Sequence, residues 1–206
     1  MPLQYSLGLE PPKRPTPPAP ATWTPTHQPT SKLLILAKPD EETATRIART
    51  ANEIAARLGF EGKLVRSDLL HFTLHHIGTF SAVPQSIVTA VGECGDAIRM
   101  LPFTVSLTKV QNFRRRSGIP LIVLCGDDGV VGLRVLREKL GVALAKRFGS
   151  VRSSSFEPHM TLSYRAMEIS DISIAPINFT IHEFVLVNSL QGQGRHDVLL
   201  RWRLGA

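Results

Sequence analysis

Two tetrapeptides pair an imidazole with a hydroxyl at the same spacing: His71-Phe72-Thr73-Leu74 and His159-Met160-Thr161-Leu162, 159 − 71 = 88 residues apart. On an extended strand, residues i and i+2 point to the same side. Each motif therefore turns a histidine and a threonine to one face and gives Phe72 and Leu74, or Met160 and Leu162, to the core. If the two strands lie side by side, two imidazoles and two hydroxyls converge on one cleft. A neutral imidazole can take a proton from water, and a protonated one can give a proton to a leaving ribose oxygen, because the ordinary histidine pKa of about 6.5 lies near working pH. Hydroxyls can donate to the nonbridging oxygens of a phosphate. This is equipment for phosphodiester chemistry without a metal, and it needs neither threonine as a nucleophile. A single H-x-T-L is ordinary strand sequence; the second copy, again after a helix, gives the pattern its weight.

The elements that must position these motifs are legible in the pattern of apolar residues. Leu33-Leu34-Ile35-Leu36, closed by Pro39, predicts a buried strand. Asp40 predicts a helix cap, with Glu41 and Glu42 suiting the helix dipole, a stripe of Ile47, Ala51, Ile54, Ala55 and Leu58, and Gly59 as the stop. Leu69 to Ile77 predicts the strand of the first motif, and Pro84 opens a helix whose stripe is Ile87, Val91, Cys94 and Ile98. Strands are expected over Phe103–Val110 and Ile119–Leu124, around the basic loop Arg114-Arg115-Arg116-Ser117-Gly118. Gly126-Asp127-Asp128-Gly129 predicts a turn and helix cap, since it lacks the Gly-Lys-Ser/Thr of a phosphate loop. A helix from Val130 to Phe148 carries Leu133, Leu136, Leu140 and Leu144, and strands follow near His159–Tyr164, Asn178–Val187 and Val198–Leu204. Helices mixed with a non-alternating strand order predict an α+β fold, not a doubly wound parallel sheet.

The chain of 206 residues, 43% of them hydrophobic, is long enough for a real apolar core. Its formal charge, 24 − 17 = +7, favours polyanionic partners such as RNA. Cys94 and Cys125 stand far apart, with no metal spacing and no disulfide framework, which fits a reducing cytoplasm. No apolar run approaches the ~20 residues of a transmembrane helix, and the N-terminus lacks the pattern of a signal peptide. The run Pro11-Pro12-Lys13-Arg14-Pro15-Thr16-Pro17-Pro18-Ala19-Pro20 forms neither helix nor ladder, so residues 1–31 are expected to be an extended tail.

In its two motifs the sequence resembles the 2H phosphoesterases, and among them the 2′-5′ RNA ligase or RNA 2′,3′-cyclic phosphodiesterase branch. The family pattern H-x-T-L-x-F-L-G is matched by His71-Phe72-Thr73-Leu74-His75-His76-Ile77-Gly78, and P-H-x-T-L-A-R by Pro158-His159-Met160-Thr161-Leu162-Ser163-Tyr164. Phe113-Arg114 ahead of Pro120-Leu121-Ile122-Val123-Leu124, Phe156-Glu157-Pro158, and Ser189…Gly194…Leu200-Arg201-Trp202-Arg203-Leu204 add to the likeness, which covers residues 32–206. The resemblance implies one domain over 32–206 with a bilobal, LigT-like α+β fold: two antiparallel-rich sheets, pseudo-twofold symmetry and a central cleft. It implies hydrolysis of 2′,3′-cyclic phosphate ends of RNA or nucleotides to 2′-phosphates, or the reverse joining of RNA ends. His71, Thr73, His159 and Thr161 take the catalytic places, with His159 as base and His71 as acid in hydrolysis. His75, Phe113, Arg114, Ser163 and Tyr164 are the expected substrate-binding residues. No cofactor and no metal are called for, and a cytoplasmic monomer is expected.

The chain departs from the family pattern at two places. His76 stands where the family has Phe, and strand alternation sends it to the core while His75 shares the cleft face of His71 and Thr73. Tyr164 stands where the family has Arg; Arg165 follows but should face the other way. His182 and His196 read as ordinary strand residues. Two rivals come from other classes. One is an RNA-binding protein that keeps the cleft without catalysis, against which the intact four positions argue. The other is a metal hydrolase using His71, His75 and His159, which neither motif equips with a carboxylate.

Overall fold

A computed structural model describes residues 31–114, 118, 120–149, 156–164 and 167–205. The proline-rich stretch, Arg115, Arg116 and Arg165 lie outside these. Ser31, assigned above to the tail, is already the first residue of a strand.

Eight strands and three helices follow in chain order: β1 (Ser31–Ala37), α1 (Glu41–Leu58), β2 (Phe72–Phe80), α2 (Gln85–Asp96), β3 (Phe103–Arg114), β4 (Pro120–Cys125), α3 (Val131–Phe148), β5 (His159–Ser163), β6 (Ile172–Ile181), β7 (Glu183–Leu190) and β8 (Arg195–Arg203). The fold is α+β. Its strands pair antiparallel in the order β6-β3-β4-β5-β2-β1-β7-β8. The two motif strands, β2 and β5, occupy the middle and meet at a single register pair, Phe72↔Met160. The two expected sheets are thus two four-stranded halves joined at one point into a single sheet.

Local chemistry explains the boundaries. The Asp40 carboxylate accepts from the Thr43 backbone N–H at 2.7 Å and starts α1, and Gly59 ends it in the left-handed conformation, φ 62°. The turn before α3 needs glycine for close approach: a Cβ on Gly126 would lie 2.0 Å from the Ser106 carbonyl oxygen. The stretch expected as one strand over Asn178–Val187 is two, because the chain changes halves at His182: β6 pairs with β3, and β7 with β1. Helix α2 ends at Asp96, so Ile98 packs against the core from beyond the helix.

One apolar core holds the molecule together. Ile47 and Ile54 of α1, Val91 of α2, and Leu133, Leu136, Leu140 and Leu144 of α3 cluster with Leu33, Ile35, Phe72, Leu74, Met160 and Leu162 of the strands. The helices therefore cover one face of the sheet. On the other face Leu36, Val185 and Val187 form a small separate cluster, and Thr73 is exposed. No helix among the described residues is long and apolar enough to cross a membrane.

Candidate active site

The helix-free face between the two halves carries the motif residues. Stepping the antiparallel register from Phe72↔Met160 by one residue each way sets His71 level with Thr161, and Thr73 level with His159. Each imidazole thus faces the hydroxyl of the other motif. Phe72 and Met160 are fully buried beneath them, as the alternation requires.

The two histidines are held alike. His71 Nδ1 lies 2.6 Å from the Leu69 carbonyl oxygen, and His159 Nδ1 lies 2.8 Å from that of Glu157. Each ring bonds to the carbonyl two residues upstream. A carbonyl only accepts, so Nδ1 donates its N–H in both, and proton exchange falls to Nε2. The Leu69 carbonyl is presented by a short 3-10 turn over Ser67–Leu69, just ahead of β2. Burial pushes His71 down to about 4; the Leu69 hydrogen bond opposes this, and the charges of His196, Lys38 and His159 add to it. In the unliganded cleft His71 is therefore neutral at ordinary pH, the form of a base. The acid role implied for it by resemblance needs a nearby anion to raise its pKa.

The other expected residues divide. Phe113 reaches the site, its ring centroid 4.7 Å from that of His159. Arg114, next along β3, turns to the opposite side and pairs with Glu168 at 2.9 Å. Ser163 is wholly buried, and its Oγ donates to the Lys63 carbonyl at 3.0 Å, tying that segment to β5. It is a staple, not a cleft residue. Tyr164 is 48% exposed at the end of β5.

His75 and His76 exchange the places that simple alternation predicts. The β1–β2 register runs Ile35↔His75 and then Leu36↔Thr73, so Leu74 is an extra residue, a β-bulge. After it, Leu74 and His75 both turn to the core, and His76 is exposed. His75 Nε2 lies 2.8 Å from the Arg137 carbonyl of α3, and Arg137 Nε donates to the Leu74 carbonyl at 3.1 Å. His75 is thus removed from the cleft and from any metal set with His71 and His159. No group of three His, Cys, Asp or Glu among the described residues could hold an ion.

Two residues missed by sequence reasoning border His71. The His196 ring sits edge-on to it, centroids 5.1 Å apart at 72°. Lys38, just past β1, influences both histidines electrostatically. Neither carries a local signal; the β7–β8 hairpin, which pairs Ser189 with His196, brings the latter there.

The family described as the 2′-5′ RNA ligase superfamily matches residues 39–193. The fold is similar to that of Escherichia coli LigT, whose crystal structures in apo form and complexed with 3′-AMP each give a TM-score of 0.68 at 24% identity, covering 86% of this chain and 99% of that one. It is also similar to the protein TT0787 of Thermus thermophilus, with a TM-score of 0.68 at 21% identity over 84% of this chain and 97% of that one. No curated protein matches the chain in sequence.

Proposed function

Because the chain belongs to the 2′-5′ RNA ligase superfamily, we propose that it is a phosphodiesterase opening 2′,3′-cyclic phosphate ends of RNA or nucleotides to 2′-phosphates, with 2′-5′ joining of RNA ends as the reverse reaction. The observation that carries the reading is the matched pair of imidazoles, each fixed through Nδ1 by a carbonyl two residues upstream, on strands that abut at Phe72↔Met160. A nucleotide ligand is supported by the 3′-AMP complex of LigT.

In this reaction one Nε2 removes a proton from water as its oxygen attacks phosphorus. The P–O3′ bond breaks, and the other imidazole returns a proton to O3′, so the product keeps its phosphate on O2′. Thr73 and Thr161 donate to the nonbridging oxygens, whose negative charge also raises the pKa of His71 once substrate is bound. Phe113 offers a ring beside His159 on which a base can stack.

The test is incubation with the four nucleoside 2′,3′-cyclic phosphates and an RNA ending in a cyclic phosphate, with the product phosphate located by ³¹P NMR. Formation of 2′-phosphates is expected. No turnover, or 3′-phosphate products, would overturn the reading.

A further inference from the structure

We propose that Lys38 forms, beside His71, a subsite for a second phosphate group of the substrate, the one adjoining the reacting phosphate; the proposal rests on the cyclic-phosphate reading above. Ala37, the last residue of β1, pairs with Phe72 on one side and Phe184 on the other. One step further along both ladders, Lys38 stands level with His71 and with Glu183. Residues level across antiparallel strands share a face, so the ammonium and the imidazole lie on the same helix-free side.

Lys38 has no carboxylate bonded to it among the described residues, and the charge of Asp68 only partly offsets its burial. It is partly buried, and this burial pulls its pKa down. Its Nζ donates at 2.7 Å to a backbone carbonyl, that of Asp68. The carboxylates around it are engaged elsewhere. Asp68 accepts from Arg66 through both oxygens, at 2.9 and 2.7 Å, and Glu183 is paired with Arg201. Among the described residues no carboxylate pairs with Lys38, and two of its three N–H donors are unused. The nearest carboxylate, Asp68, acts on Lys38 only through space while both its oxygens bond to Arg66, so a part-buried ammonium is incompletely compensated and the arrangement points to an anion brought by the ligand. His196 shares this character: its Nδ1 is buried without a partner among the described residues, and its ring backs His71.

Phosphate is the anion that fits. The group reacting at His71 is itself a phosphate, and a nucleotide carries its other phosphate across the same ribose. Lysine binds such a group as a point charge. At an RNA end this is the internucleotide phosphodiester on the 5′ side of the terminal ribose; on a small nucleotide it is a 5′-phosphate. A purely structural Lys38, which only secures the Ser67–Leu69 turn through the Asp68 carbonyl, makes no distinction between substrates with and without that group.

The experiment compares kcat/KM for three substrates: a nucleoside 2′,3′-cyclic phosphate, the same compound bearing a 5′-phosphate, and a dinucleotide ending in the cyclic phosphate. Wild type is expected to favour the 5′-phosphorylated compound, the dinucleotide or both by about ten-fold or more, the worth of one hydrogen bond to a charged group. Preference for the dinucleotide alone identifies the internucleotide phosphate as the natural occupant, and preference for both identifies phosphate as such. Lys38→Met should collapse the preference toward unity, and Lys38→Arg should keep it. No preference in wild type, or an equal loss on all three substrates in Lys38→Met, would overturn the subsite. Should none of the three turn over, the functional reading fails separately. The subsite is then read by calorimetry with a nucleoside 2′,5′-bisphosphate against the 2′-monophosphate, and equal affinities overturn it.

Discussion

His71 and His159 owe their usable form to a carbonyl oxygen apiece, which fixes the tautomer before any substrate arrives. His71→Ala and His159→Ala should each lower kcat on a cyclic nucleotide by about 10²–10⁴-fold without unfolding, as expected for removal of a general acid or base. Near-normal turnover in either variant, with unchanged circular dichroism, would refute the two-imidazole scheme. Thr73→Val and Thr161→Val should each lose about 10²–10³-fold, short of the largest histidine losses, because each removes one donor to the phosphate. A p-nitrophenyl phosphodiester separates acid from base, since its leaving group departs without a proton. The variant that lacks the acid should keep its rate on that substrate and lose it on the cyclic phosphate.

The low pKa of His71 also has a stability consequence. Its folded value of about 4 lies below the ordinary 6.5. Above pH 6.5 both states are neutral and nothing changes. Below it the unfolded chain binds a proton that the folded chain refuses, so stability falls as the pH drops from about 6.5 to 4, by on the order of 3 kcal/mol at most. Burial lowers His75 and His196 as well, and both act in the same direction. Urea midpoints between pH 7.5 and 4.5 should therefore decline in wild type and decline less steeply in His71→Gln.

At the scale of elements, the bulge at Leu74 is the feature that shapes β2. Without it, period-2 alternation would carry His75 into the cleft and His76 into the core; with it, His75 becomes a link between β2 and α3. His75→Ala should cost about 2 kcal/mol, from the hydrogen bond to the Arg137 carbonyl that is lost and the space left behind, with turnover little changed. His76→Ala should stay within about 0.5 kcal/mol, as an exposed substitution does. Chemical denaturation of both variants checks the assignment, and the reverse ranking would put the bulge in the wrong place.

Over the whole molecule, the two halves meet at one ladder pair, and the helices complete the joint. Helix α2 is fastened to β8, where Trp202 Nε1 donates to Asp96 at 2.9 Å and the indole covers Gly95 so closely that a Cβ there would lie 2.1 Å from the ring. A glycine-to-alanine change inside a helix ordinarily gains up to about 1 kcal/mol. Gly95→Ala should instead destabilise by about 1–3 kcal/mol, because the ring must move out of a packed core. A higher melting temperature in that variant would contradict the packing. Removal of residues 1–30 should leave kcat/KM on a cyclic nucleotide within about two-fold, since the proline density of that stretch gives it neither helix nor ladder to contribute. Aggregation of the shortened chain would show those residues to be part of the fold.

The sequence by itself determined whatever depends on neighbours in the chain. Asp40 and Gly59 marked the ends of α1, the leucine stripe marked the buried side of α3, and the two H-x-T-L motifs marked the strands that abut at the candidate site, because caps, periodicity and i, i+2 spacing act over a few residues. Tertiary structure decided the rest. A bulge is a property of the pairing between two strands, so the opposite fates of His75 and His76 were invisible until β1 lay beside β2. Ser163 became a staple because Lys63 passes next to β5, and Arg114 left the cleft because its side of β3 faces Glu168. His196 and Lys38 flank His71 only when β8 has paired with β7, and β7 and β2 with β1, and the burial that makes His71 neutral exists only once those ladders have formed.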